Sequence, residues 1–193
     1  MEALLTSTAI VAIAEIGDKT QLLAIVLAAR FRKPIPIILG ILAATLLNHA
    51  VAATFGYLIA QWLTGRTFQI VLGLSFIAMA AWALVPDKED EKAGQHSARG
   101  IFLTTLIAFF FVEIGDKTQI ATSLLAAQFH NIGLVTVGTT IGMMLANVPA
   151  VLLGEAATRI VPLKYVRIGA AVLFAAIGLW IVLAACWQYA SIS

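Results

Sequence analysis

The feature that most constrains this chain is a seven-residue stretch that occurs twice. Glu15-Ile16-Gly17-Asp18-Lys19-Thr20-Gln21 recurs unchanged as Glu113-Ile114-Gly115-Asp116-Lys117-Thr118-Gln119, 98 residues later. Each copy lies inside a long apolar run. One charge at the centre of a membrane helix costs roughly 2.5–3.5 kcal/mol even on a lenient scale, and each copy places three charges within five residues. A chain that carries this cost twice must recover it through function, and a bound cation is the simplest means.

That the apolar runs belong in a bilayer follows from composition. The 193 residues are 61% hydrophobic and 11% charged, against about 25% charged for an ordinary soluble domain, and the mean hydropathy is +0.98. The expected class is an all-α integral membrane protein with lipid as its surroundings and no nucleic-acid partner. The single cysteine, Cys186, excludes an internal disulfide, a CxxC redox pair and a cysteine-based zinc site. Glu2 and the lack of a basic start with a small-residue cleavage site argue that the first apolar stretch is a retained helix.

A span needs about 20 apolar residues in a helix, and six segments qualify. They run over about 3–29, 37–63, 68–85, 101–129, 134–160 and 166–187. Shifting the chain by 98 residues without a gap aligns Leu27-Ala28-Ala29 with Leu125-Ala126-Ala127, Gly40 with Gly138, Gly56 with Gly154, Phe76 with Phe174 and Trp82 with Trp180. The expected organisation is a three-helix repeat over residues 1–85, an aqueous linker over 86–100 and a second three-helix repeat over 101–193. An odd number of spans per half makes the second half enter from the opposite side, giving two inverted repeats, a plan common among secondary transporters.

Basic residues set the orientation. Arg30, Arg32, Lys33, Lys88, Lys92, Arg99, Arg159, Lys164 and Arg167 fall on one side, and Arg66 alone on the other. The linker is thus expected in the cytoplasm and both termini outside.

On a continuous helix, Glu15, Asp18 and Gln21 share one face, and Lys19 lies one turn after Glu15. Gly17 opens the backbone beside the acids. The same holds for Glu113, Gly115, Asp116, Lys117 and Gln119. Bringing the two copies together would assemble four carboxylates and two ammoniums, a net charge of minus two that one divalent ion balances. Carboxylate and amide oxygens suit calcium, magnesium or manganese. The candidate metal ligands are therefore Glu15, Asp18, Glu113 and Asp116, supported by Lys19, Thr20, Gln21, Lys117, Thr118, Gln119, Asn48, His49 and Asn147. His49, which the repeat places opposite Asn147, reads either as a hydrogen-bonded core residue or as a proton carrier or metal ligand. The Leu145 carbonyl, freed by Pro149, is a further oxygen donor. Gly138 and Gly142 form a GxxxG step that reads as a close packing face. Trp62, Trp82, Trp180 and Trp187 read as interface anchors or core fillers, Met143 and Met144 as core, and Asp87–Lys92 as a solvated loop. His96 and His130 fall in turns.

Two E-x-G-D-K-T motifs in two three-helix halves resemble a cation-exporter family that includes bacterial manganese exporters and Golgi calcium/manganese–proton antiporters. The resemblance covers essentially the whole chain, and both motifs match in full. It implies export of manganese, with calcium as the alternative, from the cytoplasm across a bacterial plasma membrane. It also implies that the family's functional acids map onto Glu15, Asp18, Glu113 and Asp116. No enzymatic activity and no cofactor are expected; the divalent ion and protons are substrates. The residues alone leave open a passive divalent-cation channel, a basic amino-acid exporter, which Lys19 and Lys117 disfavour, and an intramembrane aspartyl protease on Asp18 and Asp116. The adjacent lysines speak against that protease by favouring ionisation of both acids. No G-x-x-x-x-G-K-[ST] motif is present to couple transport to ATP. The oligomeric state stays open.

Overall fold

The structure, a computed structural model, describes residues 1–62, 65–84, 100–153 and 163–190. The charged residues of the linker, His96, Gly154 and Arg159 lie outside the described residues, as do the side chains of Arg66, Trp82, Lys164 and Arg167. The described residues form eight helices and no strand: α1 Glu2–Glu15, α2 Lys19–Phe31, α3 Pro34–Trp62, α4 Gly65–Ala83, α5 Ile101–Glu113, α6 Lys117–Phe129, α7 Ile132–Leu153 and α8 Leu163–Ala190.

Two of the six expected segments, 3–29 and 101–129, are not continuous helices. Each is interrupted at its motif, where α1 gives way to α2 and α5 to α6. The cause is local. Gly17 and Gly115 adopt φ of 82° and 75°, a left-handed conformation that glycine enters without steric cost and that a right-handed helix cannot continue through. Asp18 and Asp116 then take extended N-cap dihedrals (φ/ψ −82°/167° and −75°/164°) and start a new helix. α2 and α6 each close on a residue with positive φ, Arg32 and His130, whose amides donate back to Ala28 O and Ala126 O. Pro34 occupies the first position of α3, where its missing N–H is not needed.

The two halves make reciprocal contacts. A Cβ on Gly138 of α7 would lie 2.6 Å from Leu4 O and 3.0 Å from Ser7 Cβ of α1. One on Gly40 of α3 would lie 2.8 Å from Phe102 O and 2.7 Å from Thr105 Cβ of α5, the residues one repeat further on. Gly142 meets α1 in the same way at Thr8 O, 2.6 Å, and Thr8 Oγ1 donates to Gly138 O at 3.0 Å. The GxxxG step is thus a helix-packing face, as its sequence suggested. α4 packs on α8, with Phe76 and its repeat counterpart Phe174 at a ring-centroid separation of 6.3 Å.

Polarity is distributed inside out. α3 and α7 are long and apolar enough to cross a membrane, and α3 at 1.5 Å per residue is about 43 Å long. Leu39, Leu46, Leu47, Val51 and Phe55 of α3 and Val137, Ile141 and Leu145 of α7 face outward. Trp62, Trp180 and Trp187 are among the most exposed side chains, which suits interface anchors and excludes core filling. Glu15, Thr20, Asn48, His49, Glu113, Thr118 and Asn147 are buried instead.

Candidate metal centre

The two interruptions face each other inside the molecule. One carboxylate oxygen from each of Glu15, Glu113 and Asp116 lies within 4.8 Å of the others, and all three side chains are buried. Glu15 ends α1 and Glu113 ends α5, whereas Asp116 caps α6. Asp18, 4% exposed at the N-cap of α2, is not one of this three-carboxylate group, so the expected four-acid assembly is present as three plus a buried neighbour.

Because the chain breaks between the acids of each motif, they are not arranged as a helical face. Thr20 Oγ1 reaches back across the break to donate to Glu15 Oε1. Thr118 Oγ1 stands 3.3 Å from Glu113 Oε2 and 3.2 Å from Asp116 Oδ2, while Thr118 N donates to that Asp116 oxygen at 3.4 Å. The glutamine amides serve the break itself. Gln21 Oε1 accepts the Gly17 amide at 2.9 Å and Gln119 Oε1 that of Gly115 at 2.7 Å. Each oxygen thereby holds the turn with one of its two lone pairs. Gln21 Nε2 also donates to Ala146 O at 3.2 Å, one residue beyond the Leu145 carbonyl singled out from Pro149.

Lys19, four residues after Glu15 in sequence, pairs instead with the other motif. Its Nζ lies 3.0 Å from Asp116 Oδ1, pairing the first motif with the second. Lys117 is buried, 7% exposed. Asn147 Nδ2 donates to Glu15 Oε1 at 3.2 Å and also lies 3.1 Å from Met143 O and 3.0 Å from Met143 Sδ. Asn48 Nδ2 donates to Phe110 O at 3.1 Å, which ties α3 to α5. His49 Nε2 is 4.0 Å from Glu113 Oε2. Met143, whose Sδ lies 3.0 Å from Asn147 Nδ2, is fully buried, and nothing in its sequence context distinguishes it from Met144.

The arrangement is short of donors. Glu15 Oε2, Glu113 Oε1 and Asn147 Oδ1 are buried oxygens without a hydrogen-bond partner. A buried acceptor left unmet costs about 1–3 kcal/mol, more when charged, and a cation satisfies several at once. The helix ends add to this. α1 and α5 end beside the acids, and the last carbonyls of a helix carry partial negative charge. Irregular backbone of this kind at membrane depth is tolerated where it lines a protein interior or cavity.

Comparison with known proteins agrees with this chemistry. A family model described as "Divalent cation/proton antiporter GDT1" matches residues 3–91 and 101–188. The chain is 53% identical over 168 residues, 86% of this chain and 84% of the relative, to a Vibrio cholerae protein named "Putative manganese exporter". It is 29% identical to a GDT1-like protein of Synechocystis, covering 76% of this chain and 80% of that protein. It is 24% identical to GDT1-like protein 5 of Arabidopsis thaliana, covering 90% and 92%. No solved structure gives a significant match.

Proposed function

Because this chain belongs to the GDT1 family of divalent cation/proton antiporters, we propose that it exports manganese from the cytoplasm in exchange for protons. The observation that carries this reading is the buried group of Glu15, Glu113 and Asp116 with its unmet oxygens at two facing chain breaks. Hard oxygen donors favour Mn2+, Ca2+ or Mg2+ over thiophilic ions, and the name of the Vibrio cholerae relative favours manganese among them. Asp18 completes the acidic set from the N-cap of α2.

In this proposal the chain crosses the bilayer six times, α1 with α2 and α5 with α6 each forming one interrupted span. Residues 1–85 and 101–193 are inverted repeats joined by a cytoplasmic linker, and both termini lie outside. The reciprocal contacts of Gly40 and Gly138 support that relation. Broken helices meeting near the midplane are a recurring design for ion sites in transporters. Rocking one half against the other would open the shared carboxylates to each side in turn. Protons and metal then compete for the same oxygens: the metal displaces protons facing the cytoplasm, and protons displace the metal facing outward.

Mn2+ flux in proteoliposomes under an imposed pH gradient, with Ca2+ as competitor, tests the proposal. A proton gradient should drive Mn2+ uphill, and Glu15→Gln, Glu113→Gln or Asp116→Asn should nearly abolish flux in protein that still purifies folded. Flux indifferent to the pH gradient would leave a channel instead.

A further inference from the structure

The two halves contribute different chemistry at one pair of equivalent positions. Asn147 in the second half is hydrogen-bonded to Glu15. Its counterpart in the first half is His49, fully buried, with Nε2 4.0 Å from Glu113 Oε2 and neither ring nitrogen hydrogen-bonded. A buried imidazole with both nitrogens unmet is costly, and this one stands beside Glu113, just outside the group that Glu113 forms with Glu15 and Asp116. Resting on the metal site proposed above, we infer that His49 is a nitrogen ligand of the transported ion and the residue that sets its preference for Mn2+ over Ca2+ and Mg2+.

Geometry permits His49 to share an ion with Glu113. Two donor atoms, each about 2.1–2.3 Å from one ion, lie about 3 Å apart when adjacent and up to about 4.5 Å apart when opposite. The 4.0 Å between His49 Nε2 and Glu113 Oε2 falls within that range. Chemistry supplies the discrimination. Alkaline-earth ions take oxygen ligands; Mn2+ shares that preference but opens the first-row series whose affinity for mixed nitrogen and oxygen sites is ranked together, so a single imidazole beside carboxylates costs it less than it costs Ca2+ or Mg2+. Carboxylates alone bind all these ions through charge, and one nitrogen donor tilts the balance toward the transition metal. The repeat makes the contrast internal to the molecule, because Asn at the equivalent position presents an amide oxygen.

The test is pulsed electron paramagnetic resonance of Mn2+ bound to the purified full-length protein, read for nitrogen-14 modulation from a coordinated imidazole. The modulation should be present in the wild type, persist in His96→Gln and His130→Gln, and vanish in His49→Asn. Competition binding should show His49→Asn losing affinity for Mn2+ relative to Ca2+ by about tenfold, the lower end of what altering a group beside a metal costs. His49→Gln serves as a second variant if His49→Asn does not fold, and a wild-type spectrum without modulation is decisive by itself. Bound Mn2+ without nitrogen modulation in the wild type, or modulation unchanged in either His49 variant, would overturn the assignment of His49 while leaving the carboxylate site standing. Failure of the wild type to bind Mn2+ would overturn both.

Discussion

Lys19 of the first motif and Asp116 of the second form an ion pair, Nζ to Oδ1 3.0 Å, that joins α2 to the N-cap of α6. Asp116 is 3% exposed and Lys19 25%, so the pair lies between the surface and buried limits. Exposed pairs are worth up to about 1 kcal/mol, and losing one partner of a buried pair costs about 3–5 kcal/mol. Lys19→Met should therefore destabilise the protein by about 1–3 kcal/mol, seen as a lowered melting temperature in detergent. Adding Asp116→Asn removes the stranded charge. The double variant should recover much of the stability and none of the Mn2+ flux.

The break at Gly115 carries its own prediction. A Cβ there would meet nothing within 4 Å, so substitution acts through the backbone alone. At φ 75°, Gly115→Ala should cost about 1–2 kcal/mol, and Gly115→Asn less, because asparagine tolerates the left-handed region better. Thermal melting ranks the three proteins. A more stable Gly115→Ala variant would mean the second motif is helical after all.

The packing glycines should behave as a matched pair. Gly40→Ala presses on α5 at Phe102 and Thr105, and Gly138→Ala presses on α1 at Leu4 and Ser7. Overpacking of this kind costs about 1–3 kcal/mol. Melting curves should show similar losses for both, and an effect at one position only would contradict equivalent packing of the two halves.

The turns after α2 and α6 are alike in geometry and unlike in charge. Arg32 (φ 54°, ψ 28°) and His130 (φ 50°, ψ 34°) close their helices with the same backbone hydrogen bond. Arg30, Arg32 and Lys33 surround the first, whereas Gln128, Phe129, His130 and Asn131 carry no Lys or Arg. By the positive-inside rule, single cysteines at Lys33 and Asn131, in a chain with Cys186 replaced, should label from the cytoplasm and from outside respectively. Labelling of both from one side would refute six crossings in inverted repeats.

The doubled motif was legible because charge in an apolar run is costly enough to stand out. The doubled Glu-x-Gly-Asp-Lys-Thr, the GxxxG face and the equivalence of Phe76 with Phe174 all come from the chain alone. The interruption was not, because Glu15 and Asp18 at a spacing of three fit a helix face as well as they fit its end and the next beginning. The signal was there in the order Gly17-Asp18: a residue suited to positive φ followed by one suited to an N-cap. Reading it would have given Gln21 and Gln119 their place beside the turn, accepting the Gly17 and Gly115 amides. The partner of Lys19 lay beyond any local rule, since Glu15 four residues back and Asp116 97 residues on compete for one ammonium, and only packing decides between them.

The central claim is that one set of carboxylates holds either protons or a divalent ion. Calorimetric titration of the purified protein with Mn2+, at fixed pH in buffers of different ionisation enthalpy, counts the protons released per ion bound. The account predicts a count above zero between about pH 6 and pH 8, an affinity that rises with pH, and a smaller count in Glu113→Gln. A count of zero throughout that range, with affinity independent of pH, would contradict it.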